Sequence, residues 1–270
     1  MRMLSRNVRR ALVLAAAALG LAACNTNKLV YPGSTMELPD AACGHPDNAI
    51  SITASDGSQL RGWFFNRGAN TPLVVMYGGN AMNVGSFTTL AAADPARSYL
   101  LMNYRGYGNS TGEPGQNAIL ADARQGIRYA KAAMGNPNAQ LYLVGFSLGS
   151  AVATHVAVSE NPAGIVLVCP FDNINSVACN IVPIIPRFMP LDPWDSARVA
   201  PQINCPVTIV QATYDKTVPE ISTQKLIQAF RTPPTVHRFE ADHNTIFSAA
   251  GFTQVLMQAM PVTEHAQFDF

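Results

Sequence analysis

Ser147 is the central residue of the sequence Gly145-Phe146-Ser147-Leu148-Gly149, which follows an apolar run and precedes helix-forming residues. A strand that turns sharply into a helix exposes a serine hydroxyl, and small residues must flank the turn because larger side chains would collide. The turn also places the Leu148 N–H at a helix N-terminus, where it can stabilise negative charge. The pattern predicts a nucleophilic Ser147 and an oxyanion donor at Leu148, although it also arises by chance in chains rich in alanine and glycine.

Asp215 and His243 supply the two groups that a nucleophilic serine needs. Asp215 follows an apolar run at 206–212, and His243 follows the last predicted strand, at 235–240. The carboxyl ends of parallel strands meet at one edge of a sheet. His243 would take the proton of Ser147, and Asp215 would hold the imidazole in the right tautomer and stabilise its positive charge. Asp242 and Asp172 are the alternative acids. Because sequence neighbours at a strand end usually point apart, Asp215 is preferred over Asp242.

Apolar runs alternate with helical stretches along the chain, which is typical of an α/β fold with a doubly wound, mostly parallel sheet and flanking helices. Asp56-Gly57 predicts a hairpin turn between two strands at one edge of this sheet. Helices are predicted over 116–134, 220–231 and 245–260. The loop after the strand at 72–77 should supply the second oxyanion donor, for which we take the backbone amide of Asn80.

The segment 170–201 interrupts this alternation between the sixth and seventh predicted strands. Large apolar residues lie between its prolines, which include Pro183, Pro186, Pro190, Pro193 and Pro201. So many prolines exclude a long helix, and so many apolar residues are unusual in a solvated loop. Two interpretations are open: a small lid over a pocket, assigned to 171–201, or a short helix packed on the body of the domain.

Several segments resemble the alpha/beta hydrolase superfamily, at 104–112, 145–149, 170–171, 214–219 and 241–244. The resemblance extends over roughly residues 50 to 250 and points to the branch of serine-aminopeptidase-like and protein-depalmitoylase-like hydrolases. It implies the alpha/beta hydrolase fold and a serine hydrolase that forms an acyl-enzyme intermediate. The superfamily usually has His-Gly where this chain has Gly78-Gly79, a departure that bears on the geometry of the oxyanion loop.

The first 24 residues have the features of a secretion signal. Four arginines precede an apolar stretch at 11–21 that is too short to span a membrane. The stretch ends in Leu21-Ala22-Ala23-Cys24, which resembles the bacterial lipobox, in which the preceding peptide is removed and the cysteine is lipidated. An ordinary signal peptide with an incidental cysteine is the alternative.

The lipobox resemblance predicts the organisation of the chain. We expect a signal peptide over 1–23, a tether over 24–44 with lipidated Cys24, an alpha/beta hydrolase domain over 45–261 and a tail over 262–270. Asn25 after the cysteine is typical of lipoproteins sorted to the outer membrane. The expected location is therefore the bacterial cell envelope, on the periplasmic side, with membrane contact through the lipid.

Composition bounds the class of protein. The chain has 270 residues, 48% of them hydrophobic and 13% charged, which suits one well-buried domain. Its net charge is +1, and removal of residues 1–23 takes away four of the 18 basic residues and none of the 17 acidic ones, which leaves −3. No basic cluster lies outside the N-terminus, so nucleic-acid binding is not expected. We expect a monomer.

The cysteines give no metal-binding pattern. Cys43, Cys169, Cys179 and Cys205 follow the lipobox cysteine without Cys/His spacing for a metal, and no nucleotide-binding glycine pattern occurs. Neither a metal nor a cofactor is therefore expected. An oxidising envelope permits disulfides in any of three complete pairings, and buried free thiols are the alternative for Cys169 and Cys205.

Two classes of function fit these observations. The first is a serine hydrolase, preferably for carboxylic esters or thioesters; a serine aminopeptidase or amidase is the alternative, with Asp172, Asp192 and Asp195 as candidates to hold a substrate amine. The second is a catalytically silent envelope lipoprotein that uses the fold to bind a ligand. The complete set of Ser147, Asp215 and His243 favours the enzyme, with a small acyl-ester, thioester or peptide-like substrate.

Overall fold

The computed structural model describes residues 30–35, 45–181 and 191–262, and these residues build an eight-stranded sheet. The strands are β1 (Ala49–Thr53), β2 (Gln59–Phe65), β3 (Leu73–Tyr77), β4 (Ser98–Met102), β5 (Leu141–Phe146), β6 (Gly164–Val168), β7 (Val207–Ala212) and β8 (Thr235–Phe239). Their order is β1-β2-β4-β3-β5-β6-β7-β8. β2 runs antiparallel to β1 and β4, and the other neighbouring pairs are parallel. The predicted fold class and the edge hairpin are confirmed.

Helices cover both faces of the sheet. They are α1 (Thr88–Ala93), α2 (Gln116–Ala133), α3 (Leu148–Glu160), α4 (Ile174–Ile181), α5 (Ser196–Val199), α6 (Glu220–Ala229) and α7 (Phe252–Gln258). The apolar cluster on one face includes Ile127 of α2, Val152 of α3 and Leu226 of α6. The cluster on the other face includes Ala91 of α1 and Leu256 of α7. Because both faces are covered, every residue of β3, β4, β5 and β6 is buried.

The order of strands reverses at β3. β3 lies between β4 and β5. The next strand along the chain, β4, pairs with one side of β3, and the strand after that, β5, pairs with its other side. α1, which follows β3, and α3, which follows β5, cover opposite faces. The loops after β3 and β5 therefore diverge at the carboxyl edge of the sheet, and such a crevice is where open α/β sheets bind ligands. Asn80 and Ser147 lie in these two loops.

The C-terminal helix is shorter than predicted. One helix was expected over 245–260, but the structure has a 3₁₀ turn at Ile246–Ser248 and then α7 from Phe252. Gly251 separates them with φ 86°, a left-handed conformation that ends a helix and that glycine adopts without strain. The predicted helices at 116–134 and 220–231 are present as α2 and α6, the second ending at Ala229.

The described ends of the predicted insertion, 171–201, pack on the body of the domain. They contain the short helices α4 and α5. Phe171 and Trp194 are fully buried, so these ends contribute to the core. Residues 182–190 lie outside the described residues, and a lid formed by this segment stays a prediction.

Residues 30–35 differ from the predicted tether. Val30 and Tyr31 are buried and belong to the apolar cluster on the α3 face. Their burial makes this part of the segment a piece of the domain. The predicted signal peptide, Cys24, Cys43 and the predicted tail from residue 263 lie outside the described residues. Within the described ranges, no helix has both the length and the apolar character needed to cross a bilayer.

Candidate active site

The loop after β5 holds Ser147 in a strained backbone conformation. Ser147 has φ 52° and ψ −115°, a combination that residues with side chains rarely adopt, and α3 begins at the next residue. A Cβ on Gly145 would lie 2.7 Å from Ser150 Cα, and one on Gly149 would lie 2.7 Å from the Gly78 carbonyl oxygen. Close backbone approach therefore requires glycine at both positions, which is the physical reason for the sequence pattern.

Ser147, His243 and Asp215 follow β5, β8 and β7 and form a continuous chain of polar contacts. His243 Nε2 lies 3.1 Å from Ser147 Oγ, and His243 Nδ1 lies 2.7 Å from Asp215 Oδ2. The other carboxylate oxygen, Asp215 Oδ1, accepts hydrogen bonds from the backbone N–H groups of Thr217 and Val218 at 2.8 Å each. The structure thus brings together the three predicted residues with the separations that a serine, a base and an orienting acid need.

The surroundings of Asp215 keep its carboxyl ionised. Burial acts to raise the pKa of this group, but hydrogen bonds from His243 and from the Val218 amide outweigh it, and the pKa lies below its usual value of 3.8. An ionised Asp215 favours the tautomer of His243 that carries its proton on Nδ1, so Nε2 can accept the proton of Ser147. The Phe146 ring packs on the imidazole, with ring centres 4.9 Å apart.

The alternative acids serve local turns. Asp242 is exposed, and its Oδ1 accepts hydrogen bonds from the backbone N–H groups of Asn244 and Thr245 at 2.9 Å each. Asp172 Oδ1 accepts a hydrogen bond from the Ser222 hydroxyl at 2.5 Å. Asp242 therefore caps the turn that carries the histidine, and Asp172 fastens the loop after β6 to α6.

The loop after β3, residues 78–83, lies beside the reactive serine, and we call it the Asn80 loop. A Cβ on Gly79 would lie 2.8 Å from the Phe146 ring and 3.5 Å from Ser147 Cβ, so the loop backbone packs directly on the Ser147 turn. Asn80 follows Gly79 along this loop, and Leu148 is the first residue of α3. The use of their amides as oxyanion donors stays a prediction.

Gly78 stands where the superfamily usually has histidine. A Cβ at this position would lie 3.0 Å from Val84 Cγ1, so a larger side chain would require Val84 to move. The Gly78 carbonyl oxygen accepts a hydrogen bond from the buried Tyr104 hydroxyl at 2.8 Å. The Asn80 loop therefore begins with a fixed backbone although it lacks the histidine.

The side chain of Asn80 is held by residues that were not predicted from the sequence. Asn80 Oδ1 accepts a hydrogen bond from the Tyr107 hydroxyl at 2.5 Å, and Asn80 Nδ2 donates one to the Val30 carbonyl oxygen at 2.6 Å. These partners lie 27 and 50 residues away along the chain, so no local pattern reports the contacts. The one available signal was the position of Tyr107 within the superfamily-like segment 104–112.

Cys169 lies next to the acid and the histidine. Its Sγ and the ligand atoms of Asp215 and His243 are all within 4.8 Å of one another. Burial raises the pKa of the Cys169 thiol, and the nearby Asp215 carboxylate raises it further. A protonated thiol is a poor metal ligand, and the other two groups already bind each other. The cluster therefore fits a neutral thiol beside the acid better than a metal centre.

The described cysteines are free. Cys169 is buried, whereas Cys179 and Cys205 are half-buried, and each carries a thiol. A disulfide between any two of these three is therefore not formed. The interpretation of a buried free thiol is confirmed for Cys169, whereas the Cys205 thiol is free but only half-buried, and burial raises its pKa.

Comparison with known proteins finds one matching family model and several relatives. A family model of the alpha/beta hydrolase fold matches residues 71–198. An uncharacterised protein of Mycobacterium tuberculosis is 31% identical over 212 residues, which cover 76% of this chain and 75% of that protein. The uncharacterised protein YfhR of Salmonella typhi is 31% identical over 244 residues, which cover 82% of each chain.

Solved structures share the fold at lower sequence identity. An esterase of Pyrococcus furiosus has a TM-score of 0.66 and 18% identity, with 79% of this chain and 90% of that chain covered. An enol-lactonase of Burkholderia xenovorans has a TM-score of 0.60 and 16% identity, with 77% and 98% covered. The strand order, the Ser147 turn and these likenesses agree, and the chain belongs to the alpha/beta hydrolase superfamily.

Proposed function

We propose that the protein is a serine hydrolase that cleaves carboxylic ester or thioester bonds through an acyl-enzyme intermediate. Ser147 is the nucleophile, His243 the general base and Asp215 the acid that orients the base. The observation that carries the proposal is the chain of contacts from Asp215 Oδ2 through the imidazole to Ser147 Oγ, with separations of 2.7 and 3.1 Å. A protein that only binds a ligand has no need of this arrangement at a strained turn.

Acylation begins when His243 Nε2 takes the Ser147 proton as Oγ attacks the substrate carbonyl carbon. The ionised carboxylate of Asp215 stabilises the imidazolium that forms. Negative charge develops on the carbonyl oxygen, and the backbone N–H groups of Leu148 and Asn80 are the donors to it. The imidazolium then protonates the departing alkoxide or thiolate. In the second half, His243 removes a proton from water, which attacks the acyl carbon. The imidazolium then returns this proton to Ser147 Oγ as the acyl–oxygen bond breaks, which releases a carboxylic acid and regenerates the Ser147 hydroxyl and the neutral imidazole.

The acidic groups of the insertion already have hydrogen-bond partners, which favours an ester or thioester over a substrate with a free amine. An aminopeptidase needs a carboxylate that binds the amine, and the sequence candidates were Asp172, Asp192 and Asp195. Each is engaged elsewhere: they accept hydrogen bonds from the Ser222 hydroxyl, the Tyr31 hydroxyl and the Arg198 N–H, respectively. The Phe146 ring packs between the imidazole of His243 and the Phe247 ring, so the surroundings of the base are aromatic rather than acidic.

Within the superfamily, we propose the branch of serine-aminopeptidase-like and protein-depalmitoylase-like hydrolases and a lipid anchor at Cys24. The support is the set of superfamily-like segments and the lipobox-like sequence at 21–24. The protein would then face the periplasm from the outer membrane. Long-chain acyl esters and thioesters are the first substrates to test, and the esterase and enol-lactonase that share the fold agree with this preference.

Labelling with a fluorophosphonate tests the proposal, because the probe reacts with an activated serine. The wild-type protein should be labelled at Ser147 and should hydrolyse p-nitrophenyl esters. Ser147→Ala should abolish labelling, and His243→Ala should slow it by about 100-fold or more. Ser159→Ala changes a serine near the other end of α3 and is the matched control, which should be labelled at the wild-type rate.

Two outcomes would change the proposal. Wild-type protein that is folded but unlabelled would exclude the serine hydrolase and favour the silent ligand-binding protein. Faster turnover of aminoacyl anilides than of p-nitrophenyl esters would replace the esterase by an amidase or aminopeptidase.

A further inference from the structure

A short N-terminal segment, residues 30–33, packs on the Asn80 loop, and we call it the strap. The Val30 carbonyl oxygen accepts the hydrogen bond from Asn80 Nδ2 at 2.6 Å. Gly33 approaches so closely that a Cβ on it would lie 2.7 Å from Ala81 Cα and would overlap the Tyr107 ring. The strap therefore touches the backbone and the side chain of the turn that carries the proposed second oxyanion donor.

Tyr31 fastens the strap to the body of the domain. Its side chain is fully buried, its hydroxyl donates to Asp192 Oδ2 at 2.5 Å, and it accepts from Trp194 Nε1 at 2.9 Å. The same Asp192 oxygen accepts from the backbone N–H of Gln116 at 2.7 Å, at the start of α2. Because a buried phenol with two polar partners is costly to remove, the strap is a fixed part of the domain.

The Asn80 loop has a conformation that needs support. Ala81 has φ 58°, a left-handed conformation that costs free energy for a residue with a Cβ. Tyr107 donates to Asn80 Oδ1 at 2.5 Å. Burial raises the pKa of the Tyr107 phenol, and hydrogen bonds from the Gly33 and Ala81 backbone amides partly oppose that increase. The Tyr107 phenol thus joins Gly33 of the strap to Asn80 and Ala81 of the loop.

We propose that the strap positions the oxyanion hole: through the Val30 carbonyl and the Gly33–Tyr107 contact it holds Asn80 so that the backbone N–H of Asn80 faces the developing oxyanion. The inference rests on the serine hydrolase function proposed above. Without the strap, the strained turn at Ala81 can relax and carry the Asn80 amide away from the reacting carbonyl. Val30, Gly33 and Tyr107 are positioning residues, since they act through Asn80 rather than on the substrate.

Gly33→Ala in the full chain is the direct test, because the added methyl group cannot fit between the strap, Ala81 and Tyr107. We expect kcat for p-nitrophenyl esters to fall about 10- to 100-fold, while KM changes by less than about 3-fold, because the donor acts on the transition state. The affinity for a phenylboronic acid, whose tetrahedral adduct with Oγ occupies the oxyanion hole, should fall in parallel. The shape of the pH profile should not change, because the contact between His243 and Asp215 is untouched.

Gly164→Ala is the matched control. Its Cβ would meet the Tyr142 ring at 3.4 Å, an ordinary contact at the opposite end of β6 from the site, and we expect kcat to stay within about 2-fold of wild type. Tyr107→Phe is a second variant, since it removes the hydroxyl that binds Asn80 and keeps the ring. Tyr107→Phe should show the same loss of kcat and the same unchanged KM, and it serves as the test if Gly33→Ala does not fold.

A double-mutant cycle shows whether the strap acts through Asn80. Asn80→Ala removes the side chain that Val30 and Tyr107 hold but keeps the backbone N–H, so it should resemble Gly33→Ala. The kcat of the double variant should be no more than about 3-fold below that of the less active single variant, because both changes break the same contact between the strap and Asn80. Fold losses that multiply would overturn the inference, as would a kcat within about 2-fold of wild type in both Gly33→Ala and Tyr107→Phe. Wild-type protein that is unlabelled by the fluorophosphonate would instead refute the proposed function itself.

Discussion

The two turns beside Ser147 reach strained conformations by different means. In the turn 145–149, Ser147 has φ 52°, and glycines two residues away on either side allow the close approach. In the Asn80 loop, Ala81 has φ 58°, and the support comes from Val30 and Tyr107, which lie 50 and 27 residues from Asn80. Five consecutive residues specify the first turn, whereas the second depends on contacts that form only when the domain folds.

The difference predicts two kinds of response to mutation. An added Cβ in the turn 145–149 meets main-chain atoms that cannot move, so the site should be lost outright. The Asn80 loop is held by several side-chain contacts, so the loss of one contact should reduce activity in part.

Gly149→Ala should have the largest effect. The added Cβ would lie 2.7 Å from the Gly78 carbonyl oxygen and would overlap the Tyr77 carbonyl oxygen, so the Ser147 turn and the Asn80 loop would have to separate. We expect fluorophosphonate labelling to be lost and the free energy of unfolding in urea to fall by about 3 kcal/mol. Gly115→Ala is the control, since its Cβ would meet Asp192 Oδ2 at 3.8 Å, and its stability should stay within about 1 kcal/mol of wild type. Normal labelling of Gly149→Ala would show that this turn is as adaptable as the Asn80 loop.

Asp215→Asn should lower kcat by about 10⁴-fold without disturbing either turn. The amide cannot stabilise an imidazolium, and its NH₂ group can hold His243 in the wrong tautomer. Asp242→Asn is the matched control, because an amide oxygen can still accept the two backbone hydrogen bonds that cap its turn. Its kcat should stay within about 3-fold of wild type. Equal losses in the two variants, measured with the same ester, would contradict the choice of Asp215 as the acid.

The same Asp215→Asn variant reports the charge of the acid. Since the pKa of Asp215 is lowered in the folded protein, its ionised form stabilises the fold above the usual value of 3.8, and this stabilisation is lost as the pH falls through the lowered pKa. The stability difference between wild type and Asp215→Asn should therefore shrink below pH 3.8. Urea unfolding at several pH values measures it, and a difference that is independent of pH would contradict the prediction.

Tyr104→Phe should have the smallest effect of the series. It removes one buried hydrogen bond, from the hydroxyl to the Gly78 carbonyl oxygen at 2.8 Å, at the start of the Asn80 loop. We expect about 1 kcal/mol less stability and a kcat lowered by about 3- to 10-fold. Tyr129→Phe, on the surface of α2, is the control and should change neither quantity. A complete loss of activity in Tyr104→Phe would mean that the Asn80 loop is as intolerant as the Ser147 turn, and the contrast between them would fail.

Much of the fold could be predicted because the sequences of the central strands are recognisable by themselves. β3 to β6 are buried on both faces and read as continuous apolar runs, and Asp56-Gly57 marks the edge hairpin. The prediction of one C-terminal helix over 245–260 was wrong because composition does not show whether a glycine interrupts a helix. Gly251 adopts φ 86° in its tertiary setting, and the helix begins only after it.

The site divides in the same way into residues with a local sequence signal and residues that only tertiary contacts bring together. Ser147 comes directly after β5, and Asp215 and His243 lie in the loops after β7 and β8, so strand order and residue chemistry were enough to select them. The support of the Asn80 loop is different, because it comes from residues distant in sequence. Val30 and Tyr31 belong to a run of only three apolar residues, 29–31, and only their burial in the folded domain shows that they belong to it.

If Cys24 carries lipid as proposed, the strap also limits how far the crevice can be from the membrane. Val30 is fixed beside Asn80, and six residue steps separate it from Cys24, a distance of at most about 20 Å even for a fully extended chain. If Cys24 carries lipid as proposed, the enzyme cannot sample the bulk periplasm. Its turnover would then depend on the density of substrate per unit area of membrane rather than on the concentration in solution. Acyl groups that remain partly in the bilayer would reach Ser147 by lateral diffusion.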